Sequence, residues 1–228
     1  MDKKIIGIDF SPNSSGFCIL KKDSCKLISV IRTSNVISKM YLKEGSAIKT
    51  FKDLELVSIN IIPKKKFNNN EYHIKEKEKM IDSINFSNFI LELLNPYLDE
   101  NTYISMEGLS FNSSSNFLID VSMTTSLIRS KIIEKINPNN FFVFSPTTIK
   151  KFVIKGNAKK DLLYTIFIEK KKDDLRFSKI IQILTENKDK WIKSSKKVEI
   201  PCSDIIDSIW LSLFLEENLE KLFKSMKI

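Results

Sequence analysis

At 228 residues with 42% hydrophobic side chains, the chain can bury a core of its own, which excludes a disordered polymer and suits one domain with elaborations. Its 37 Lys and Arg against 28 Asp and Glu leave a net charge of +9, a balance that favours a polyanionic partner, although a Lys- and Asn-rich composition accounts for part of it. With one histidine, His73, the chain excludes HExxH zinc chemistry, multi-histidine metal sites and most catalytic triads, so acid and metal work falls to carboxylates. Cys18, Cys25 and Cys202 show no CxxC spacing, no apolar run approaches the roughly 18 residues of a membrane span, and the start is not signal-like. The expectation is a soluble protein of a reducing, cytoplasmic compartment.

Residues 3–20, KKIIGIDFSPNSSGFCIL, predict a β-hairpin: Ile5, Ile6 and Ile8 form the first strand, residues 11–15 the turn and residues 17–20 the return. Asp9 stands near the end of that first strand. An ionised carboxylate against a buried sheet is costly unless a cation or fixed donors offset it, so Asp9 is a ligand candidate, the competing reading being an ordinary turn-forming acid. Residues 25–31 predict a third antiparallel strand. Residues 33–75 read as an insertion, with a strand signal at 58–62 and the basic loop PKKKFNNN at 63–70, either a DNA-facing flap or a solvated excursion.

Apolar residues at helical spacing predict a helix over 77–94, stopped by Asn95-Pro96, then a strand over 102–106 that ends on Glu107. A carboxylate at the carboxyl end of a strand that follows a helix sits where α/β folds place ligands. The loop after it has Leu109 and Phe111 as its large apolar members. A helix over 115–136, a strand over 141–144, a turn at 145–148 and an apolar run at 149–154 follow. Lys155, Gly156, Asn157, Ala158, Lys159 and Lys160 then make a basic, glycine-bearing loop suited to phosphates or merely solvated. Helices are predicted over 161–170, 177–191 and 202–223. The last opens with Asp204 and Asp207 three apart on one face, beside the positive end of the helix dipole. The chain has five glycines, and Gly7, Gly16, Gly108 and Gly156 all mark these stretches, where φ > 0 or close approach would call for them.

Three antiparallel strands with an acid in the first, then helix, strand with acid, helix, strand and a late D-x-x-D helix make an α/β, ribonuclease H-like arrangement: a mixed five-stranded sheet, three strands antiparallel and two parallel, flanked by helices. The expectation is a single domain over 1–228 with the insertion at 33–75. The motifs GIDFSPNSSGF (7–17), SMEGLSFNS (105–113), SPTTIKKFVIKGNAKK (145–160) and SDIIDSIWL (203–211) resemble RuvC-type Holliday junction resolvases, bacteriophage versions in particular. The resemblance implies that Asp9, Glu107, Asp204 and Asp207 hold Mg²⁺ or Mn²⁺, two ions per site, for phosphodiester hydrolysis, and hard carboxylate oxygens suit those ions. It places Lys160 as a catalytic lysine near the scissile bond. Lys155, Gly156, Asn157 and Lys159 are DNA-binding candidates, and Leu109 and Phe111 are either wedges in an opened junction or core filling. It further implies a homodimer that nicks two strands of branched DNA in recombination, repair or phage DNA processing. Two departures stand out: the 33–75 insertion, and Val153-Ile154 where phage relatives carry Thr-Gly.

Overall fold

The computed structural model describes residues 3–33, 57–63, 71–109, 115–154, 160–186, 188–191, 198 and 200–226. Strands β1 (Lys4–Asp9), β2 (Ser14–Leu20) and β3 (Cys25–Thr33) form the antiparallel meander expected from the first hairpin. β4 (Val57–Pro63) pairs in parallel with β3 at one edge. β5 (Thr102–Glu107) lies parallel to β1, and β6 (Phe141–Phe144) parallel to β5, giving a sheet of order β4-β3-β2-β1-β5-β6.

The sheet thus has six strands rather than five. The extra one comes from within the 33–75 stretch, because VSINIIP is rich enough in β-branched residues to extend the edge: Ile61 packs toward one face of the sheet and Ile62 toward the other. Pro63 ends it, as suits an edge strand. Residues 34–56 and the 64–70 loop lie outside the described residues. Three antiparallel strands followed by parallel ones, with helices on both faces, is the ribonuclease H-like arrangement.

Helices α1 (Tyr72–Leu94) and α2 (Ser115–Ile133) cover one face, where Phe86, Ile90, Ile128 and Ile132 bury against Ile6, Ile8, Ile104 and Met106. On the other face lie α3 (Pro146–Val153), α4 (Lys160–Lys171), α5 (Ser178–Glu186) and, after the short α6 (Lys188–Trp191), α7 (Cys202–Met226). α3 begins where the sequence predicts only a turn: the Ser145 hydroxyl accepts from the Thr148 N–H at 3.2 Å, and Pro146 occupies the first helical position, where its missing N–H costs nothing. No helix among the described residues is long and apolar enough to cross a membrane.

Side chains alternate along each strand, so every second residue faces α7. The register sets these in rows: Leu27, Cys18, Gly7, Ser105 and Phe142 side by side, and one row further on Ser29, Gly16, Asp9, Glu107 and Phe144. α7 lies almost on the backbone of the central strands. A Cβ at Gly7 would stand 2.0 Å from the Ser208 carbonyl oxygen, and one at Gly16 would stand 2.2 Å from that of Asp204. The two glycines therefore serve close approach, which lets the first turns of α7 descend beside the row that contains both acids.

Candidate active site

Asp9 ends β1 and Glu107 ends β5. Since Ile8 pairs with Met106, the two carboxylate residues are the next neighbours in register, on strands about 4.8 Å apart and on the α7 face. Behind Asp9 the chain turns through serines that bond to one another's backbone: the Ser15 hydroxyl donates to the Ser11 carbonyl at 2.9 Å, and the Ser11 hydroxyl donates to that of Ser14, also at 2.9 Å. Behind Glu107, the Gly108 N–H donates to the Phe144 carbonyl at 2.7 Å and Arg129 of α2 donates to the Glu107 carbonyl at 3.2 Å. Burial lowers the Arg129 pKa from its ordinary value. Both strand ends are thereby fixed.

The helix contributes its two acids differently. Asp207 lines a cavity of about 100 Å³ together with Asp9, Glu107, Lys150, Ile149 and Leu211. Asp204 is 7% exposed and absent from that lining; its carboxylate accepts from the Ser14 hydroxyl of β2 and, at 2.9 Å, from the Ser203 hydroxyl. The structure brings three of the four expected acids to one cavity. It uses the fourth to tie the first turn of α7 to the sheet.

Sequence reasoning overlooked Lys150, which brings a cation to the acid-lined wall. A turn at 145–148 gives Pro146 and Lys150 no common face, whereas in α3 they stand four apart and both line this cavity, while Ile149 and Val153 are buried. Lys160, expected in the basic loop, is the first residue of α4, and its side chain lies outside the described residues, as do Lys155, Gly156, Asn157, Lys159 and Phe111 altogether. Leu109 lines a second cavity, of about 200 Å³, which shares Asp9, Glu107 and Pro146 with the first.

Three carboxylates, with no His or Cys beside them, form a donor set suited to a hard divalent cation. Among the described residues no group of three or more His, Cys, Asp or Glu side chains is arranged to hold a metal ion, so the acids line the cavity without forming a ligand shell. The fit is one of donor type and position; closing a shell requires the carboxylates to be drawn together.

No family model matches the sequence, and no curated protein matches it. Among solved structures the chain is similar to RuvC of Thermus thermophilus in complex with a Holliday junction substrate, with a TM-score of 0.47, 10% identity and 96% of each chain covered. It is similar also to a second Thermus thermophilus RuvC structure (TM-score 0.44, 11% identity, 96% of each chain). A third is the Fowlpox virus resolvase in complex with substrate Holliday junction DNA (TM-score 0.44, 16% identity, 95% of this chain and 98% of that one). The neighbours named are thus RuvC and a poxvirus resolvase.

Proposed function

We propose that the protein is a metal-dependent, structure-selective endodeoxyribonuclease that cuts Holliday junctions or other branched DNA by paired nicking, acting as a homodimer. The observation that carries this reading is the convergence of Asp9, Glu107 and Asp207, from two parallel strand ends and a helix start, on one cavity that also holds Lys150. Asp9 and Glu107 lie at strand termini and Asp207 near the start of the last helix, the ribonuclease H-like order, within motifs that resemble RuvC-type resolvases.

In this reading a scissile phosphate enters beside the acid row, and Lys150 supplies a positive charge that offsets its own. Bound by Asp9, Glu107 and Asp207, Mg²⁺ or Mn²⁺ would supply Lewis acidity at the phosphate and a nucleophile at neutral pH. Water adds to phosphorus, the bond to the 3′ oxygen breaks, and that oxygen takes a proton, leaving 5′-phosphate and 3′-hydroxyl ends. Asp204, held by Ser14 and Ser203, fixes the helix that presents Asp207 and joins the ligand set only if Ser14 releases it.

A panel of DNA four-way junction, flap, RNA–DNA hybrid and linear duplex, each with Mg²⁺ or Mn²⁺, tests the substrate class. The junction is expected to be cut first and duplex not at all. Preference for the hybrid or the flap would instead assign another nuclease of the same fold, and tight junction binding without cleavage would assign a binding protein.

A further inference from the structure

We propose that Arg129 grips a DNA phosphate beside the one being cut, so that the cleaved strand meets a cation on each side of the acid row. The inference rests on the nuclease reading and adds a backbone contact to it. Of the chain's 37 basic residues only three are arginines, Arg32, Arg129 and Arg176. The planar guanidinium fork suits two-oxygen anions in a way that a lysine does not, and two of the three show that use. Arg32 donates to both oxygens of Asp82, at 2.8 and 2.7 Å, and Arg176 donates to Asp174 and to both oxygens of Glu216. Arg129 makes no ion pair among the described residues.

Its surroundings make that unusual. Arg129 is half-buried in α2; one terminal nitrogen donates to the main-chain carbonyl of Glu107 at 3.2 Å, and its Nε is buried with no hydrogen-bond partner among the described residues. The segment that follows Glu107, GLSFNSS over 108–114, has no acid in its sequence. A partly desolvated cation is costly unless an anion meets it. Its position says which anion that is. Lys150 reaches the acid cavity from α3, on one face of the sheet, whereas Arg129 reaches the end of β5 from α2, on the other face. A DNA strand that crosses the acid row passes from one cation to the other, and its neighbouring phosphate offers the pair of oxygens that the fork accepts.

The experiment measures equilibrium binding of a four-way junction by the Asp9→Asn variant, with the linkages within two nucleotides of the nick mapped for wild type replaced one at a time by uncharged methylphosphonates. One linkage other than the cut one is expected to weaken binding about tenfold when neutralised, the scale of one charge-assisted contact. In the double variant Asp9→Asn, Arg129→Gln the same replacement should have no effect, and the slope of log affinity against log salt should be shallower by about 0.7–0.9, the share of one phosphate. Arg129→Lys, which keeps the charge without the fork, should retain the slope, lose part of the affinity and feel a smaller methylphosphonate penalty; it carries the comparison if the Gln variant fails to fold. A residue that only braced the Glu107 strand end would alter cleavage and leave the linkage scan and the salt slope as they were. That result, or a sensitive linkage more than two nucleotides from the nick, would overturn the proposal while leaving the nuclease reading intact. If wild type cuts no branched substrate, that reading fails and the phosphate contact falls with it.

Discussion

Asp204 and Asp207 are three residues apart at the start of α7, and the sequence treats them alike; the structure separates them by what each carboxylate meets. Asp207 lines the acid cavity, whereas Asp204 is bonded to Ser14 and Ser203. Asp207→Asn is therefore expected to cut the rate of junction cleavage by about a thousandfold or more. Asp204→Asn should also lower folding stability, by about 1–3 kcal/mol in denaturant titration, because a charge-assisted bond between α7 and β2 is weakened. Lys150→Ala should slow cleavage about a hundredfold, the scale of one lost electrostatic contact to the reacting group, without changing the fold, and single-turnover rates measure it. Asp9 and Glu107 were legible because carboxylates at strand ends in an otherwise apolar setting stand out. Lys150 was not, since one Lys among many reveals its role only when the helix that aims it is known.

At the scale of elements, the packing of α7 on β1 and β2 governs the site. Gly7→Ala places a methyl carbon against the backbone of Ser208 and Ser212, where no side chain can swing away. The variant is expected to lose about 3 kcal/mol, with the denaturation midpoint as the measure. The far side of α7 is held by Arg176, whose guanidinium bonds Asp174 at 2.8 Å and Glu216 of α7 at 2.7 Å. Hydrogen bonding to Arg176 holds the Asp174 carboxyl below its ordinary value. A carboxyl whose folded pKa is depressed contributes stability above its unfolded value, near ~3.9, and loses it as pH falls through the folded one. Arg176→Met should accordingly lower stability at neutral pH by about 1–3 kcal/mol and make its decline into acid shallower, as urea titrations across that range would register. Close approach was one of two readings the sequence allowed for its glycines, and the structure adds the helix that approaches. β4 and α3 were only partly legible. An edge strand depends on a partner far away in the chain, and the Ser145 cap looks like any turn-forming serine until the helix behind it is seen.

Over the whole molecule, a charge of +9 coexists with an acid-lined cavity at the end of the sheet. The two are compatible if the basic surface binds the phosphate backbone and the acids act on one phosphate within it. Fold class was legible because the order of strands and helices is written in periodicities, and topology follows from few rules once that order is known. The remaining basic candidates, Lys155 to Lys160, belong to a charge run whose pattern carries no information on where it packs.

Whether these acids cut branched DNA is decided by incubating an immobile four-way junction with Mg²⁺ or Mn²⁺ and either wild type or Asp9→Asn, and mapping nicks on all four strands. Paired nicks in opposing strands are expected with wild type, none with Asp9→Asn or after chelation, and junction binding by both proteins. Equal cleavage by Asp9→Asn, or cleavage that persists after chelation, would contradict that role for the acids.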